Sequence, residues 1–245
     1  MMVHDRLERI KALLAQHPRC SVTRIQKHLG VSRATARRDL LELEAQGALV
    51  RVHGGVINRE YLHAEPTFDL RSRAATDAKR RIGQRAAALV GEGEAVFVDA
   101  GTTCLEAGLL LLLRRDVRIF TNSVRLLAEA RHGEAEVTCV GGSVRRPTEA
   151  MVGALALAWL KELRFDIAIL GASGISKEEG ASTTELSEAA IKQAAIERSR
   201  QRVLVADASK QERPAAVTFA GWSQFDYWVT DTARGSVVRR LQRCR

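Results

Sequence analysis

A short polar stretch, Asp99-Ala100-Gly101-Thr102-Thr103, follows an apolar run and has the residue types that hold an anion. The apolar residues after it recur at helical spacing, so the sequence predicts a helix that begins at this stretch. The free N–H groups and the dipole at a helix N-terminus bind phosphate-like groups. The alternative is that Thr102 or Thr103 caps the helix, and the two roles are compatible.

Three further polar loops follow predicted strands in the same way: residues 121–123 (TNS), 141–143 (GGS) and 171–174 (GASG). In an open α/β sheet the ligand crevice lies outside the carboxyl ends of the strands, so these loops are expected to converge on one site. Every α/β domain needs glycine at its turns, and a single loop of this type means little. Four of them together favour a polar pocket over turns alone.

Charged side chains are expected at the same edge of the sheet. Asp99 ends a strand, where its carboxylate either accepts hydrogen bonds from a sugar hydroxyl or holds the loop. Glu185, Glu188 and Lys192 share one face of a later helix, which is typical of a Glu188–Lys192 salt bridge and also compatible with a ligand site. Lys210 follows a strand and is placed to meet a phosphate.

A second group of chemically interesting residues lies within residues 21–43. Ser21 and Ser32 are N-cap residues of two short helices, and Gly30 ends the first helix. An inward stripe on the second helix leaves an arginine-rich outer face, which is what insertion into a DNA major groove requires. The alternative is an ordinary helical hairpin with a solvated basic face. The candidate DNA-binding residues of this helix are Ser32, Arg33, Ala34, Thr35, Arg37 and Arg38.

Elements on both sides of these two helices predict a winged helix. Apolar residues at helical spacing predict a preceding helix over Asp5–Gln16. Two β-prone runs around a Gly-Gly turn in residues 49–57 predict a hairpin. Arg51 and His53 on this wing could lie along a phosphate backbone or a minor groove. The alternative for the hairpin is a plain connector to the next domain.

Composition and charge limit the possible functions. The 245 residues carry a net charge of +9, and residues 1–60 hold eleven Lys or Arg against six Asp or Glu, so an anionic partner is expected for the N-terminal segment. The four cysteines form no C-x-x-C pair and the six histidines show no ligand spacing, so no metal or cofactor is predicted. The longest apolar run is too short for a bilayer, which favours a cytoplasmic protein without a membrane partner.

Hydrophobic patterning divides the chain into two parts. Residues 1–58 are predicted to form an α-rich winged helix-turn-helix domain, and residues 59–76, which show little periodicity, a linker. Helices and short apolar strands alternate over residues 77–245. The strands lack strict polar–apolar alternation, which indicates an α/β domain with a mostly parallel sheet covered on both faces.

These motifs together resemble the DeoR family of bacterial transcription regulators over nearly the whole chain. The N-terminal match is VSRATARRDLLELEAQG followed by RVHGG. The C-terminal match includes VDAGTT, TNS, VGGSVRR, GASGIS, the helix from Glu185 to Lys192, DASK and VTD. The resemblance implies a DNA-binding winged helix, an effector domain similar to ribose-5-phosphate isomerase, and a homo-oligomer.

The resemblance also implies function. A protein that resembles this family is expected to repress a carbohydrate or polyol operon and to sense a phosphorylated sugar or polyol. The partners would be a double-stranded DNA operator, the effector, and further copies of the chain in a homodimer or homotetramer. No catalytic residue is implied. By position, the effector site would comprise Asp99, Gly101, Thr102, Thr103, Asn122, Gly141, Gly142, Lys192 and Lys210.

Two departures from the family pattern and one alternative function remain. Ala36 stands where a larger aliphatic residue is common, so looser packing of the recognition helix is expected. Residues 237–245 predict a short basic helix in place of the usual last strand.

The alternative function is that of a sugar-phosphate isomerase with a basic N-terminal extension. Such an enzyme needs a positioned general base, and the sequence marks none out among Asp99, Glu185 and Glu188.

Overall fold

The computed structural model describes residues 3–17, 19–52, 55–58, 65–232 and 235–241. The chain divides into two compact units, Met1–Glu65 and Pro66–Arg245. This division differs from the predicted linker over residues 59–76, because residues 66–76 belong to the second unit. They include a five-residue helix that buries Phe68, and a helix of little more than one turn is too short to show a periodic pattern.

The first unit has the element order of a winged helix. Its elements are α1 (Val3–Gln16), β1 (Arg19–Ser21), α2 (Val22–Leu29), α3 (Arg33–Ala45), β2 (Leu49–Val52) and β3 (Gly55–Asn58). The strands form an antiparallel sheet in the order β1-β3-β2. The caps lie where the sequence predicts them. The hydroxyls of Ser21 and Ser32 accept hydrogen bonds from the backbone N–H groups of Arg24 and Thr35, and Gly30 ends α2 with a φ of +66°.

The core of this unit lies between its three helices and the sheet. Its fully or almost fully buried side chains include Ile10, Leu14, Ile25, Ala36, Leu40, Leu43, Leu49 and Val56. An ion pair lies beside it, in which Nε of Arg6 donates to Asp39 at 2.7 Å and one Nη at 2.8 Å. Ala36 is completely buried, so a small side chain is what this site of α3 accommodates.

The second unit is an α/β domain. Its helices are α4 (Phe68–Ser72), α5 (Thr76–Ala87), α6 (Thr102–Leu112), α7 (Val124–Glu129), α8 (Ala154–Glu162) and α9 (Leu186–Glu197). Its strands are β4 (Ala95–Val98), β5 (Arg118–Thr121), β6 (Glu136–Cys139), β7 (Ser143–Arg145), β8 (Ala150–Val152), β9 (Phe165–Gly171), β10 (Gly174–Ser176), β11 (Gly180–Thr183), β12 (Ser199–Val205), β13 (Val217–Ala220), β14 (Tyr227–Thr232) and β15 (Gly235–Arg240).

Seven of these strands form the central sheet, in the order β15-β14-β12-β9-β4-β5-β6. All are parallel except β15, which confirms the predicted mostly parallel sheet. Hydrophobic clusters cover both faces: Ile167 and Ile169 of β9 pack on one side, and Ala168 and Leu170 on the other. Apolar residues at successive positions of a strand are therefore required, which explains the missing alternation.

The C-terminal segment differs from its prediction. The predicted basic helix over residues 237–245 is wrong, because β15 pairs antiparallel with β14, from Tyr227↔Arg240 to Thr232↔Gly235. Residues 242–245 lie outside the described part. The segment contains Val237 and Val238, whose branched side chains favour strands, and its basic residues are typical of an edge strand.

Neighbouring leucines of α3 provide a stability test. Leu40 is 1% exposed and Leu41 is 47% exposed. We expect Leu40→Ala to lower the free energy of unfolding of the first unit by about 2–5 kcal/mol, because it leaves a cavity in the core. Leu41→Ala should change it by about 0.5 kcal/mol or less. Urea denaturation monitored by circular dichroism measures both, and equal losses would contradict this packing.

Candidate functional site

A pocket lies at the carboxyl edge of the central sheet, where the sequence predicts converging loops. It is formed by the loops after β4, β9 and β12 together with β11, α9 and α4. Its lining residues are Arg71, Ala100, Gly101, Thr102, Thr103, Gly171, Ala172, Ser173, Thr183, Glu188, Lys192, Val205 and Lys210. Five predicted effector residues therefore line one pocket: Gly101, Thr102, Thr103, Lys192 and Lys210.

Helix α6 begins at this pocket. Its N-cap residue is Gly101, which has no side chain, so the first backbone N–H groups receive no side-chain cap. The threonines Thr102 and Thr103 occupy the first two helical positions and are 9% and 8% exposed. Neither threonine acts as the N-cap residue, so the simpler alternative does not apply. Uncapped N–H groups and the helix dipole make this end attractive to an anion.

Lys192, which lines the pocket, forms a buried ion pair with Asp99. The Lys192 ammonium donates to Oδ2 of Asp99 and, at 3.0 Å, to the carbonyl oxygen of Gly171. The same Asp99 oxygen accepts the Gly171 N–H at 3.1 Å. Burial lowers the pKa of Lys192, but the charges of Asp99 and Glu188 and the hydrogen bond to Asp99 together exceed this effect and raise the pKa. Lys192 therefore keeps its positive charge, and Asp99 holds the loop through the Gly171 N–H.

Glu188 has its own hydrogen-bond network on the pocket wall. Oε1 accepts from the hydroxyl of Thr148 and from Arg145 at 3.3 Å, and Oε2 accepts from the hydroxyl of Thr183 at 3.0 Å. The expected Glu188–Lys192 salt bridge is replaced by Arg145–Glu188 and Lys192–Asp99. A carboxylate fixed in this way accepts hydrogen bonds from ligand hydroxyls with little loss of conformational entropy.

Positive charge is concentrated on one side of the pocket. Arg71 and Lys210 line it, and the buried Lys79 ammonium donates to the carbonyl oxygen of Arg71. The pKa of Lys79 is lowered to about 8, chiefly by burial, with Lys210 and Arg71 also lowering it against the opposing effects of Asp207 and Glu106. Like charges brought together in a partly buried place favour the binding of an anion.

Four predicted effector residues lie outside this lining: Asp99, which pairs with Lys192, and Asn122, Gly141 and Gly142. The buried Asn122 accepts the N–H of Ala100 at 2.9 Å and donates to the carbonyl of Met151 at 3.4 Å, so it ties adjacent loops together. Gly141 and Gly142 form the connection from β6 to β7 with φ of +71° and +108°. A Cβ on Gly142 would lie 2.5 Å from the Val152 carbonyl oxygen, so this glycine is needed for packing.

Sequence reasoning missed several lining residues. Arg71 falls in the predicted linker, and no local pattern marks it. Thr183 belongs to β11, one of the small strands that were not predicted. Glu188 is not among the predicted effector residues, because its i, i+4 spacing to Lys192 is also typical of a salt bridge on a helix surface. Ser173 was visible as part of the predicted loop after β9.

The candidate nucleic-acid surface is the outer face of α3. Ser32, Arg33, Ala34, Arg37 and Arg38 are exposed and Thr35 is half-buried, while Asp39, Leu40 and Leu43 face the core. On the wing, Arg51 is exposed and its backbone N–H donates to Glu44 at 3.3 Å. His53 lies outside the described residues. The exposed Arg24 and Lys27 of α2 were not selected from the sequence.

The described residues contain no group of three or more His, Cys, Asp or Glu arranged to hold a metal ion. Cys20, Cys104 and Cys139 are free thiols, and burial raises the pKa of Cys104 well above its ordinary value. Within the same ranges, no helix combines the length and the apolar character needed to cross a bilayer.

The lowered pKa of Lys79 makes stability depend on pH. The folded protein releases this proton at pH about 8, whereas an unfolded lysine keeps it to about 10.4. Between these values the unfolded state binds more protons, so stability rises with pH by up to about 1.4 kcal/mol per pH unit. The urea midpoint is measured at pH 7.5 and at pH 9.5, which are set as experimental conditions. It should increase between these two values by more in the wild type than in Lys79→Met. Identical pH profiles would refute the assignment.

Two family models match the chain and together span most of it. The model of the DeoR-like helix-turn-helix domain matches residues 6–60, and that of the DeoR C terminal sensor domain matches residues 74–232. The second match alone covers more than half of the chain.

Curated relatives are similar along nearly the whole length. The HTH-type transcriptional regulator GlpR of Haloferax volcanii is 36% identical over 231 residues, covering 94% of this chain and 91% of the relative. The glycerol-3-phosphate regulon repressor of Escherichia coli is 32% identical, covering 89% and 87%. Among solved structures, ribose 5-phosphate isomerase A of Methanocaldococcus jannaschii has a TM-score of 0.48 at 12% identity, covering 68% of this chain and 100% of that chain. The family models and the curated relatives confirm the resemblance seen in the sequence: the chain belongs to the DeoR family of transcriptional regulators.

Proposed function

We propose that this protein represses a carbohydrate or polyol operon and that a phosphorylated sugar or polyol, bound in the sensor domain, alters its affinity for DNA. The observation that carries the proposal is the pocket at the carboxyl edge of the sheet. It combines an uncapped helix N-terminus with cations on one side and a hydrogen-bonded carboxylate on another. The cytoplasm is the expected location of such a regulator.

The pocket chemistry suits a ligand with one anionic end and several hydroxyl groups. The phosphate would occupy the N-terminus of α6, between Thr103 and Lys210. The hydroxyl groups would reach Glu188 and Ser173. The relative named as the glycerol-3-phosphate regulon repressor supports a small phosphorylated polyol as this class of ligand. Asp99 would hold Lys192 and the Gly171 loop in place by accepting hydrogen bonds from both.

The alternative of an isomerase is less well supported. A general base must have a carboxylate oxygen that can reach and accept a substrate proton. Asp99 is engaged by the Lys192 ammonium and the Gly171 N–H. Both oxygens of Glu188 accept hydrogen bonds from Thr148, Thr183 or Arg145. This bonding supports a structural role for Asp99 and a binding role for Glu188, in agreement with relatives that are named as regulators.

On DNA, α3 would enter the major groove with Arg33, Arg37 and Arg38 on its outer face, while Arg51 and His53 of the wing contact the backbone. A single helix-turn-helix covers few base pairs, and symmetric oligomers supply the second half-site. We therefore propose that a homodimer or homotetramer binds the operator. DNase footprints should then contain two repeated half-sites.

Alanine substitution of Arg33, Arg37 and Arg38 tests the DNA surface. An operator is first selected from random duplexes with the wild-type protein. A base-reading arginine should cost about 1–3 kcal/mol and relax specificity, whereas a phosphate contact should lower the salt slope by about one. Gel-shift titrations at several salt concentrations separate the two. Leu41→Ala, also on α3 and exposed, is the matched control, and wild-type affinity of the triple variant would exclude this surface.

A charge placed at the N-terminus of α6 tests the pocket. Thr103→Glu puts negative charge and volume where the phosphate would bind, so it should abolish effector binding and leave DNA affinity unchanged. The variant should stay on the operator at effector concentrations that release the wild type. The control is Thr138→Glu, at an exposed threonine of β6 outside the pocket lining.

The effector is sought first by thermal shift with glycerol 3-phosphate, fructose 1-phosphate and glucose 6-phosphate. A ligand at a hundred times its dissociation constant stabilises the protein by about 2.7 kcal/mol. Release of Thr103→Glu at the wild-type effector concentration would disprove the pocket assignment. Steady turnover of one of these compounds at about 1 per second or faster would favour the isomerase.

A further inference from the structure

Arg71 has an unusual place in the chain for a residue of the pocket. The other lining residues begin at Ala100 and belong to the central sheet and its loops, β11, α6 and α9, whereas Arg71 lies on α4. Helix α4 is the first element of the second unit. It begins at Phe68, three positions after Glu65, the last residue of the DNA-binding unit. One helix therefore contributes a residue to the pocket and is joined to the DNA-binding unit by only two residues of the chain.

Side-chain contacts determine where α4 lies. Phe68 is 3% exposed, and the Arg125 guanidinium lies 5.2 Å from the centre of its ring. Arg125 also forms ion pairs at 2.6 Å with Asp69 of α4 and with Glu149. A five-residue helix has almost no stability of its own, so its position depends on such contacts. A new contact to Arg71 would add to the forces that place α4.

The charges around Arg71 favour such a contact when an anion is bound. Lys79 donates to the Arg71 carbonyl oxygen, and its lowered pKa reflects the positive charge of Lys210 and Arg71 in addition to burial. A phosphate at the N-terminus of α6 would relieve this repulsion. Guanidinium groups bind phosphate oxygens with two parallel hydrogen bonds, which fixes geometry as well as adding energy.

We infer that Arg71 is a positioning residue that transmits occupancy of the pocket to the DNA-binding unit: a bound phosphate pairs with its guanidinium and fixes α4. This inference rests on the proposed function, because it requires a phosphorylated ligand in the pocket. A ligand changes an equilibrium only through its different affinities for two states. The contact to Arg71 gives the phosphate different affinities for the two states, whereas Lys210 mainly increases the affinity of the pocket for the phosphate.

The test measures coupling separately from binding. The probe is whichever of glycerol 3-phosphate, fructose 1-phosphate or glucose 6-phosphate releases the full-length wild type from its selected operator. Calorimetry gives the dissociation constant of this probe for each variant, and operator affinity is then measured without the probe and at saturation. The wild-type ratio of the two operator affinities should be at least about fivefold.

Arg71→Gln should bind the probe more weakly, and its operator affinity ratio should remain near one even at saturation. Lys210→Gln should also bind the probe more weakly but should recover the wild-type ratio once saturated. Arg71→Lys keeps the charge without the paired hydrogen bonds, so its ratio should be intermediate. Arg73→Gln, at the exposed C-cap of the same helix, should match the wild type.

The possible failures are distinguishable. If saturated Arg71→Gln shows the wild-type ratio, the inference is overturned and the proposed function stands. If Lys210→Gln loses the change in operator affinity at saturation as both Arg71 variants do, Arg71 has no special role, and the inference is also overturned. If none of the probes changes the operator affinity of the wild type, the proposed function fails, and the inference fails with it. Should Arg71→Gln not fold, as judged by its melting curve, the Arg71→Lys ratio decides, and a wild-type value contradicts the inference.

Discussion

The buried ion pair between Asp99 and Lys192 determines the geometry of the sensor pocket. A buried carboxylate or ammonium without its partner would cost several kcal/mol, so each group fixes the position of the other. Asp99 follows β4, Lys192 lies on α9, and both bond to Gly171 at the end of β9. Three elements that are distant in sequence are thereby held at one point. The N-terminus of α6 begins three residues after Asp99 and inherits its position from this arrangement.

The same point limits which residues can form the loops. A Cβ on Gly171 would lie 3.2 Å from the sulfur of the buried Cys104, so a side chain at this position would crowd that sulfur beside the ion pair. Asn122 joins the adjacent loop to Ala100. Buried groups thus maintain the frame of the pocket, whose lining includes the threonines Thr102 and Thr103 and the cation Lys210.

Local signals in the sequence were sufficient for much of the fold. The caps Ser21, Ser32 and Gly30 act through neighbouring residues, and the apolar strands follow from the covering of both sheet faces. Contacts between distant residues could not be predicted in this way: Arg6–Asp39 spans 33 positions and Lys192–Asp99 spans 93. Arg71 was missed because a single helical turn has no periodicity. Gly142 was placed in the effector site by its position in the family pattern, and in sequence a glycine needed for packing looks the same as one that approaches a ligand.

The outer face of α3 contributes little to the core of its domain. Ser32, Arg33, Ala34, Arg37 and Arg38 are exposed, while Ala36, Asp39, Leu40 and Leu43 carry the packing. Substitutions at exposed positions away from caps usually change stability by about 0.5 kcal/mol or less. The arginines of α3 and Ala34 can therefore vary during evolution at little cost to folding. Under the proposed role of α3 in reading DNA, gene duplication followed by drift at these few codons would give paralogues that recognise different operators on an unchanged scaffold.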